Sequence, residues 1–256
     1  MKKLLLFDVD GTIAESGQHI NYEIKRLLIE LKNNKNYSLG IVGGGKLDKI
    51  LYQLGYDNYI DHYFTECGCV YHINISDKSN EDVTLDEVYI KNIRNHKLYS
   101  KINILIKKAL HYISQVDYLV TGNFIDLRNG IIYISLIGMV ASLQERKYYL
   151  EKDKENHYRL NLLNILKEEA NKLDILEELT ICYGGEVGIA IYPIEYDKTQ
   201  VLEYLLPYYD EIHFFGDKYE KNGNDYNLIN NNSIIGHPID CVNDTIKILE
   251  NLLYNE

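Results

Sequence analysis

The chain has no tryptophan, three prolines and four cysteines among its 256 residues. The cysteines are Cys67, Cys69, Cys182 and Cys241, and no two of them form a Cys-x-x-Cys pair. A zinc site or a disulfide framework needs closer and more regular spacing, so reduced thiols in a reducing compartment are expected. Long apolar runs are also missing. Lys2-Lys3 followed by Leu4-Leu5-Leu6-Phe7 imitates the start of a signal peptide, but Asp8 ends that run at once, well short of a signal-peptide apolar core of about 7–15 residues. No segment is long enough to span a bilayer, and a cytoplasmic location is the expectation. Positive charge is in short supply too: 27 Lys and Arg against 38 Asp and Glu leave a formal net charge of −11. General nucleic-acid binding is thereby disfavoured, and a polyanionic substrate would need a local basic pocket.

What is present is a chain with 46% hydrophobic residues, typical of globular proteins and long enough for a large core or two domains. The opening reads as a strand at 3–7, a loop, and a helix at 20–32, where Ile24, Leu27, Leu28 and Leu31 recur at helical spacing. A strand at 38–42 runs into Gly43-Gly44-Gly45, followed by a helix at 46–54 stopped by Gly55. Strands are expected at 62–65 and 70–73. This alternation implies an α/β fold, a Rossmannoid core whose parallel sheet is covered on both faces. From about residue 84 the texture changes. Helices are expected at 85–95 and 101–116, a hairpin about Asn129-Gly130, a long charged helix at 143–173, and strands at 180–183 and 188–192. The expected organisation is a core made of residues 1–83 and 195–256, interrupted by an inserted α+β cap at 84–194. Back in the core, 199–207 reads as helix, 211–215 and 233–236 as strands, and 243–253 as a closing helix.

Asp8-Val9-Asp10-Gly11-Thr12 follow directly on the first apolar strand. Residues i and i+2 of a strand face one side. Two carboxylates so placed disfavour each other's charge unless a cation lies between them, and Mg²⁺ prefers such hard oxygen ligands. The first Asp can then attack phosphorus and the second can move protons. By themselves these five residues also suit a turn that merely begins a strand–loop–helix unit. Lys198, just ahead of a helix, could neutralise a phosphoryl group beside Asp8. Phe214-Phe215-Gly216-Asp217-Lys218 puts an acid at the end of a buried-type strand, with Asp225 in the loop beyond. In open α/β sheets ligands bind at the carboxyl ends of strands, where Asp8, Asp217 and Asp225 all fall.

With these residues the chain resembles the eukaryotic-type phosphomannomutases of the haloacid dehalogenase (HAD) superfamily. The matching stretches are FDVDGT (7–12), FTECG (64–68), NFIDLRNGIIYISLIG (123–138), LQER (143–146), GGEVGIAIYP (184–193), DK (197–198), FFGDK (214–218) and GNDYN (223–227). The resemblance implies that Asp8 is the nucleophile and that Asp10 is the general acid/base. It implies that Asp8, the Asp10 backbone carbonyl and Asp217 hold Mg²⁺ with support from Asp225, and that Lys198 steadies Asp8 and the phosphoryl group. Arg128 and Arg146 match cap arginines that grip the substrate's distal phosphate, a task suited to the planar guanidinium fork. Gly184 and Gly185 match the start of a substrate-contacting segment, and Gly43 and Gly44 a phosphoryl-binding loop. The resemblance further implies a small phosphorylated sugar as substrate, a hexose bisphosphate activator, a homodimer through the cap, and a place in GDP-mannose biosynthesis.

The departures lie in the substrate site. Gly17 stands where the family has an arginine, Met139 where it has a second cap arginine, Gly188 and Ala190 where it has a serine and an aspartate, and Gly45 within a loop that normally offers Ser or Thr. Backbone N–H groups of the glycine loop are one replacement, and Lys46, His19 and Lys25 are possible sources of positive charge. Two lost arginines would cost about 3–6 kcal/mol if nothing replaced them, roughly a hundred- to ten-thousandfold in binding. Three functions therefore remain open: a mutase, a HAD-type phosphatase of a sugar phosphate or other small phosphoester, and a catalytically weak phospholigand-binding homologue. Cys67, where the family often has Asn, reads as a packing residue.

Overall fold

Leu4, Leu5, Leu6 and Phe7 are all fully buried, because the strand they form is covered on both faces. The structure, a computed structural model, describes residues 1–77, 80–221 and 223–254. Residues 78, 79, 222, 255 and 256, which the sequence reading assigns to the core, lie outside the described residues. The chain forms two compact units, one of residues 1–91 together with the chain from Glu195 onward, the other of Asn92–Ile194. It begins with β1 (Lys3–Phe7), α1 (Tyr22–Lys35), β2 (Tyr37–Val42), α2 (Leu47–Leu54), β3 (His62–Thr65), β4 (Val70–Asn74) and β5 (Leu85–Ile90). The second unit contains α3 (Tyr99–Ile113), β6 (Ile125–Leu127), β7 (Ile132–Ser135), α4 (Leu143–Asn156), α5 (Tyr158–Lys172), β8 (Leu179–Gly184) and β9 (Gly188–Pro193). The first unit is completed by α6 (Leu202–Leu205), β10 (Glu211–Gly216), α7 (Tyr226–Ile229), β11 (Ile235–Pro238) and α8 (Val242–Tyr254).

The sheet of the first unit runs β11-β10-β1-β2-β3-β4-β5. Pairing is parallel from β11 to β3 and antiparallel beyond it. Alternate residues of β1 serve opposite faces. Leu5 and Phe7 pack with Ile24, Leu28 and Leu252; Leu4 and Leu6 pack with Val201, Leu205 and Phe214. Each such side chain contributes roughly 1.5–3 kcal/mol of burial, which makes β1 a rigid base for the loop that follows. The register matters more than the order: Phe7 lies opposite both Phe215 and Ile41. The residues after three strands are thereby brought level. The second unit carries an antiparallel sheet, β6-β7-β9-β8.

Three expectations are corrected. Residues 85–90 form strand β5, not a helix. Its apolar pattern is thin because it is an edge strand, and Tyr89 earns its place by stacking on Tyr204, 4.5 Å between ring centroids. The helix expected at 143–173 is two helices. His157 takes a left-handed conformation (φ 57°), and the buried Asp153 carboxylate accepts Arg159 N–H at 2.8 Å and pairs with Arg159 Nε at 2.6 Å. That carboxylate supplies the start of α5 with its missing acceptor. The helix expected at 199–207 is a 3₁₀ turn at Lys198–Val201 and the short α6.

Candidate active site

Asp8 is the first residue beyond β1, and its N–H still reaches across to the Phe215 carbonyl at 2.9 Å. Lys198 Nζ lies 2.5 Å from Asp8 Oδ1 and 2.7 Å from Asp225 Oδ1, with only 1% of its side chain exposed. The second oxygen of Asp225 accepts the Lys218 backbone N–H at 3.0 Å. Asp217, next after β10, pairs through Oδ2 with the Lys218 ammonium, while its buried Oδ1 has no hydrogen-bond partner among the described residues. One oxygen from each of Asp8, Asp217 and Asp225 can be chosen so that all lie within 4.8 Å of one another. Gly11 makes this approach possible. Its φ is +87°, and a Cβ there would sit 2.5 Å from Asp217 Oδ2.

Burial pushes the Asp8 carboxyl up to about 7; Lys198 opposes the rise, and the charges of Asp225 and Asp217 add to it. Burial likewise raises Asp217, with Lys218 acting against it. For Lys198 burial favours the neutral amine, but Asp225 and Asp8 outweigh it and hold the ammonium well above the usual lysine range. The site is therefore three carboxylates facing one buried ammonium. The surplus negative charge, the hard oxygen donors and the unpartnered Asp217 Oδ1 together fit a small divalent cation such as Mg²⁺.

Asp10 does not turn its carboxylate toward that trio. Its Oδ2 pairs with Lys49 Nζ at 2.5 Å, and its Oδ1 accepts Gln53 Nε2 at 2.8 Å and the Gly17 N–H at 2.9 Å. The Asp10 carboxylate is therefore not one of the oxygens gathered about Lys198. Burial acts to raise the Asp10 pKa, but Lys49, Gly17 and Gln53 overcome it and keep the group below the usual carboxylate range. Lys49 and Gln53 were missed by the sequence reading. The available signal was their i, i+4 spacing on the helix after the glycine loop. Of the cations considered as replacements, Lys25 pairs with Asp57 at 2.5 Å, and His19 packs on Tyr52 with ring centroids 4.5 Å apart. Lys46 is the N-cap of α2.

The glycine loop passes beside Asp8, since a Cβ on Gly43 would lie 3.8 Å from Asp8 Oδ1. Gly43 N–H donates to the Phe64 carbonyl at 3.1 Å and so is not available for a phosphoryl oxygen; its carbonyl accepts Cys67 N–H at 2.9 Å. A Cβ on Gly44 would meet Cys67 Sγ at 3.8 Å. Cys67 is buried, as a packing residue should be. In the second unit, Arg128 Nε pairs with Asp126 at 2.6 Å. Arg146 donates to the carbonyls of Ala141 and Met139 at 3.2 and 3.4 Å. Gly184 ends β8, and Gly185 follows in the turn to β9.

A mostly parallel sheet with acids gathered at its strand ends, interrupted by an α+β unit, is the HAD-like fold. Solved structures agree. The C-terminal domain of Candida albicans trehalose-6-phosphate phosphatase superposes with a TM-score of 0.60 at 14% identity, over 100% of this chain and 93% of that one. A truncated Plasmodium falciparum IMP-nucleotidase gives 0.63 at 16% identity, over 99% and 68%. At such identities the likeness is one of fold. The sequence is more specific: residues 24–255 match the family model for eukaryotic phosphomannomutase. A probable phosphomannomutase of Caenorhabditis elegans is 35% identical over 98% of this chain and 96% of its own. The phosphomannomutase of Arabidopsis thaliana is 35% identical over 95% and 93%. The chain belongs to the eukaryotic phosphomannomutase family.

Proposed function

We propose that the protein interconverts the 6-phosphate and 1-phosphate of mannose or a related hexose by passing a phosphoryl group through Asp8. The observation that carries this reading is the buried Lys198 bridging Asp8 and Asp225, in a chain related to phosphomannomutases along nearly all its length. Asp8 begins the cycle phosphorylated by a hexose bisphosphate activator. The ionised Asp10 takes the proton from a sugar hydroxyl as that oxygen bonds to phosphorus and the bond to Asp8 breaks, giving a hexose bisphosphate. After the bisphosphate turns end for end, Asp8 attacks the other phosphorus and Asp10 returns its proton to the leaving sugar oxygen. Lys198 offsets the charge gathering on Asp8 and the phosphoryl oxygens. Asp8, the Asp10 carbonyl and Asp217, with support from Asp225, would hold Mg²⁺, which would supply further neutralisation of the transferred group. Arg128 and Arg146, with the segment at Gly184-Gly185, bind the phosphate that is not reacting, and Gly43 and Gly44 line the reacting one.

On the same reading the two units are a catalytic core and an inserted cap, with the first boundary moved from the expected 83/84 to 91/92 because β5 pairs with β4 in the core sheet, and two copies pair through the cap as a homodimer. The support is family membership. A cytoplasmic role in supplying hexose 1-phosphate for GDP-mannose biosynthesis is supported by membership and by four free cysteines. No helix among the described residues is long and apolar enough to cross a membrane. A phosphatase is the second reading, favoured by Gly17, which offers Asp10 only a backbone N–H. The test is ³¹P NMR of the protein with Mg²⁺, mannose 1-phosphate and catalytic glucose 1,6-bisphosphate. Mannose 6-phosphate, lost in Asp8→Asn, supports the mutase; steady release of inorganic phosphate replaces it with the phosphatase; an unchanged spectrum leaves a binding protein.

A further inference from the structure

Tyr133 is held in an unusual bed. It lies on β7 opposite Ala190 of β9 and leans over three glycines. A Cβ on Gly184 would meet its ring at 2.9 Å, one on Gly185 its hydroxyl at 3.3 Å, and one on Gly188 its Cζ at 2.5 Å and hydroxyl at 2.6 Å. Any side chain at Gly188 would displace the ring, so the missing side chains of this segment are the space that Tyr133 fills. No hydrogen bond to its hydroxyl forms among the described residues. The guanidinium carbon of Arg128 stands 5.6 Å from the ring centroid. Burial raises the phenol's pKa, Arg128, Arg146 and Arg159 each pull it back, and Glu186 adds a smaller rise, so three guanidinium charges and one carboxylate reach this group. Arg159 is itself tied to Asp153 and to the Glu186 carbonyl at 2.6 Å each, so it adds charge without freedom to move.

We infer that the Tyr133 hydroxyl is a phosphate-binding group, donating a hydrogen bond to the anion that Arg128 and Arg146 attract. A phenol O–H, neutral and fixed by its ring, can give one directed bond to a phosphate oxygen at little entropic cost, and the surrounding positive charge selects an anion rather than a sugar hydroxyl. This restores in part the phosphate recognition that Met139 and Gly188 do not provide. The inference rests on the mutase reading in that the anion is the substrate's phosphate.

The test compares the full-length protein with Tyr133→Phe, which keeps the ring over the glycines and beside Arg128 and removes only the hydroxyl. Tyr183→Phe, an exposed tyrosine on β8, is the control. Two readouts are taken: mutase kinetics with mannose 1-phosphate, and calorimetric titration of inorganic phosphate in EDTA, where the unneutralised acids of the first unit repel the ion. The expected result is a KM raised about tenfold with kcat within about twofold, the pattern of lost uniform binding, and phosphate affinity lowered at least about fivefold, with Tyr183→Phe unchanged in both. Unaltered KM and phosphate affinity in Tyr133→Phe overturn the inference and leave the mutase reading standing. If the wild type turns over no sugar phosphate, the mutase reading falls and the phosphate titration alone decides. Weaker binding by Tyr133→Phe then supports the inference, and equal affinity, or no binding by either protein, overturns it.

Discussion

Lys49 Nζ lies 2.5 Å from Asp10 Oδ2, and Gln53, one turn further along α2, holds the other oxygen at 2.8 Å. The Asp10 carboxylate is thus held chiefly by a helix that lies about forty residues further along the chain. The loop contributes the Gly17 N–H, at the position where the family pattern has an arginine.

Lys49→Met should lower kcat/KM about ten- to hundredfold, within the range general acid–base groups supply. Without the lysine the Asp10 pKa rises, so the ionised form is lost at higher pH and the acidic limb of the kcat/KM profile moves upward. A profile with an unmoved acidic limb would show that Lys49 is only a surface partner.

Lys198→Met should destabilise the fold by about 3–5 kcal/mol, because Asp8 and Asp225 are left buried and uncompensated. Mg²⁺ can replace part of the lost positive charge. In urea unfolding, added Mg²⁺ should therefore raise the midpoint of the variant more than that of the wild type; equal shifts would count against a cation among these acids.

Gly11→Ala meets two obstacles at once, a left-handed φ of +87° and a contact of 2.5 Å with Asp217 Oδ2. Activity should fall at least about a hundredfold through misplacement, with about 1–3 kcal/mol of stability. Gly17→Ala is the comparison, since φ there is +72° but nothing lies within 4 Å of the added methyl. It should cost only about 1 kcal/mol of stability, read by thermal unfolding of both variants.

His237 on β11 stacks on Phe215 with centroids 4.4 Å apart and bonds His213 at 2.8 Å. Burial, and then the neighbouring His213, push its pKa down to about 4 from the usual 6.5. Between those values the unfolded chain takes up a proton that the folded chain refuses, so stability is full above pH 6.5 and falls as the pH drops toward 4. The loss should be about 1–2 kcal/mol, less than the full shift implies because the ring is partly exposed. Urea unfolding at pH 7.5 and pH 5 should show that His237→Gln loses less stability on acidification than the wild type.

What the sequence determined by itself was local or periodic. The run Leu4–Phe7 required a strand buried on both faces, Asn129-Gly130 required a turn, and the ordered motifs from Asp8 to Asp225 defined the family. Edge strand β5 and the break at His157 were not legible, because each depends on a remote or reciprocal partner: Tyr204 for Tyr89, and the Asp153 carboxylate for the start of α5. The same reason governs the site. Which acids face one ammonium is decided by the register that sets Phe7 level with Phe215 and Ile41. Only the packed structure showed that Asp10 leans on Lys49 and that Tyr133 fills the space over Gly188. Charge and close packing act through distance in space, and spacing along the chain does not report it.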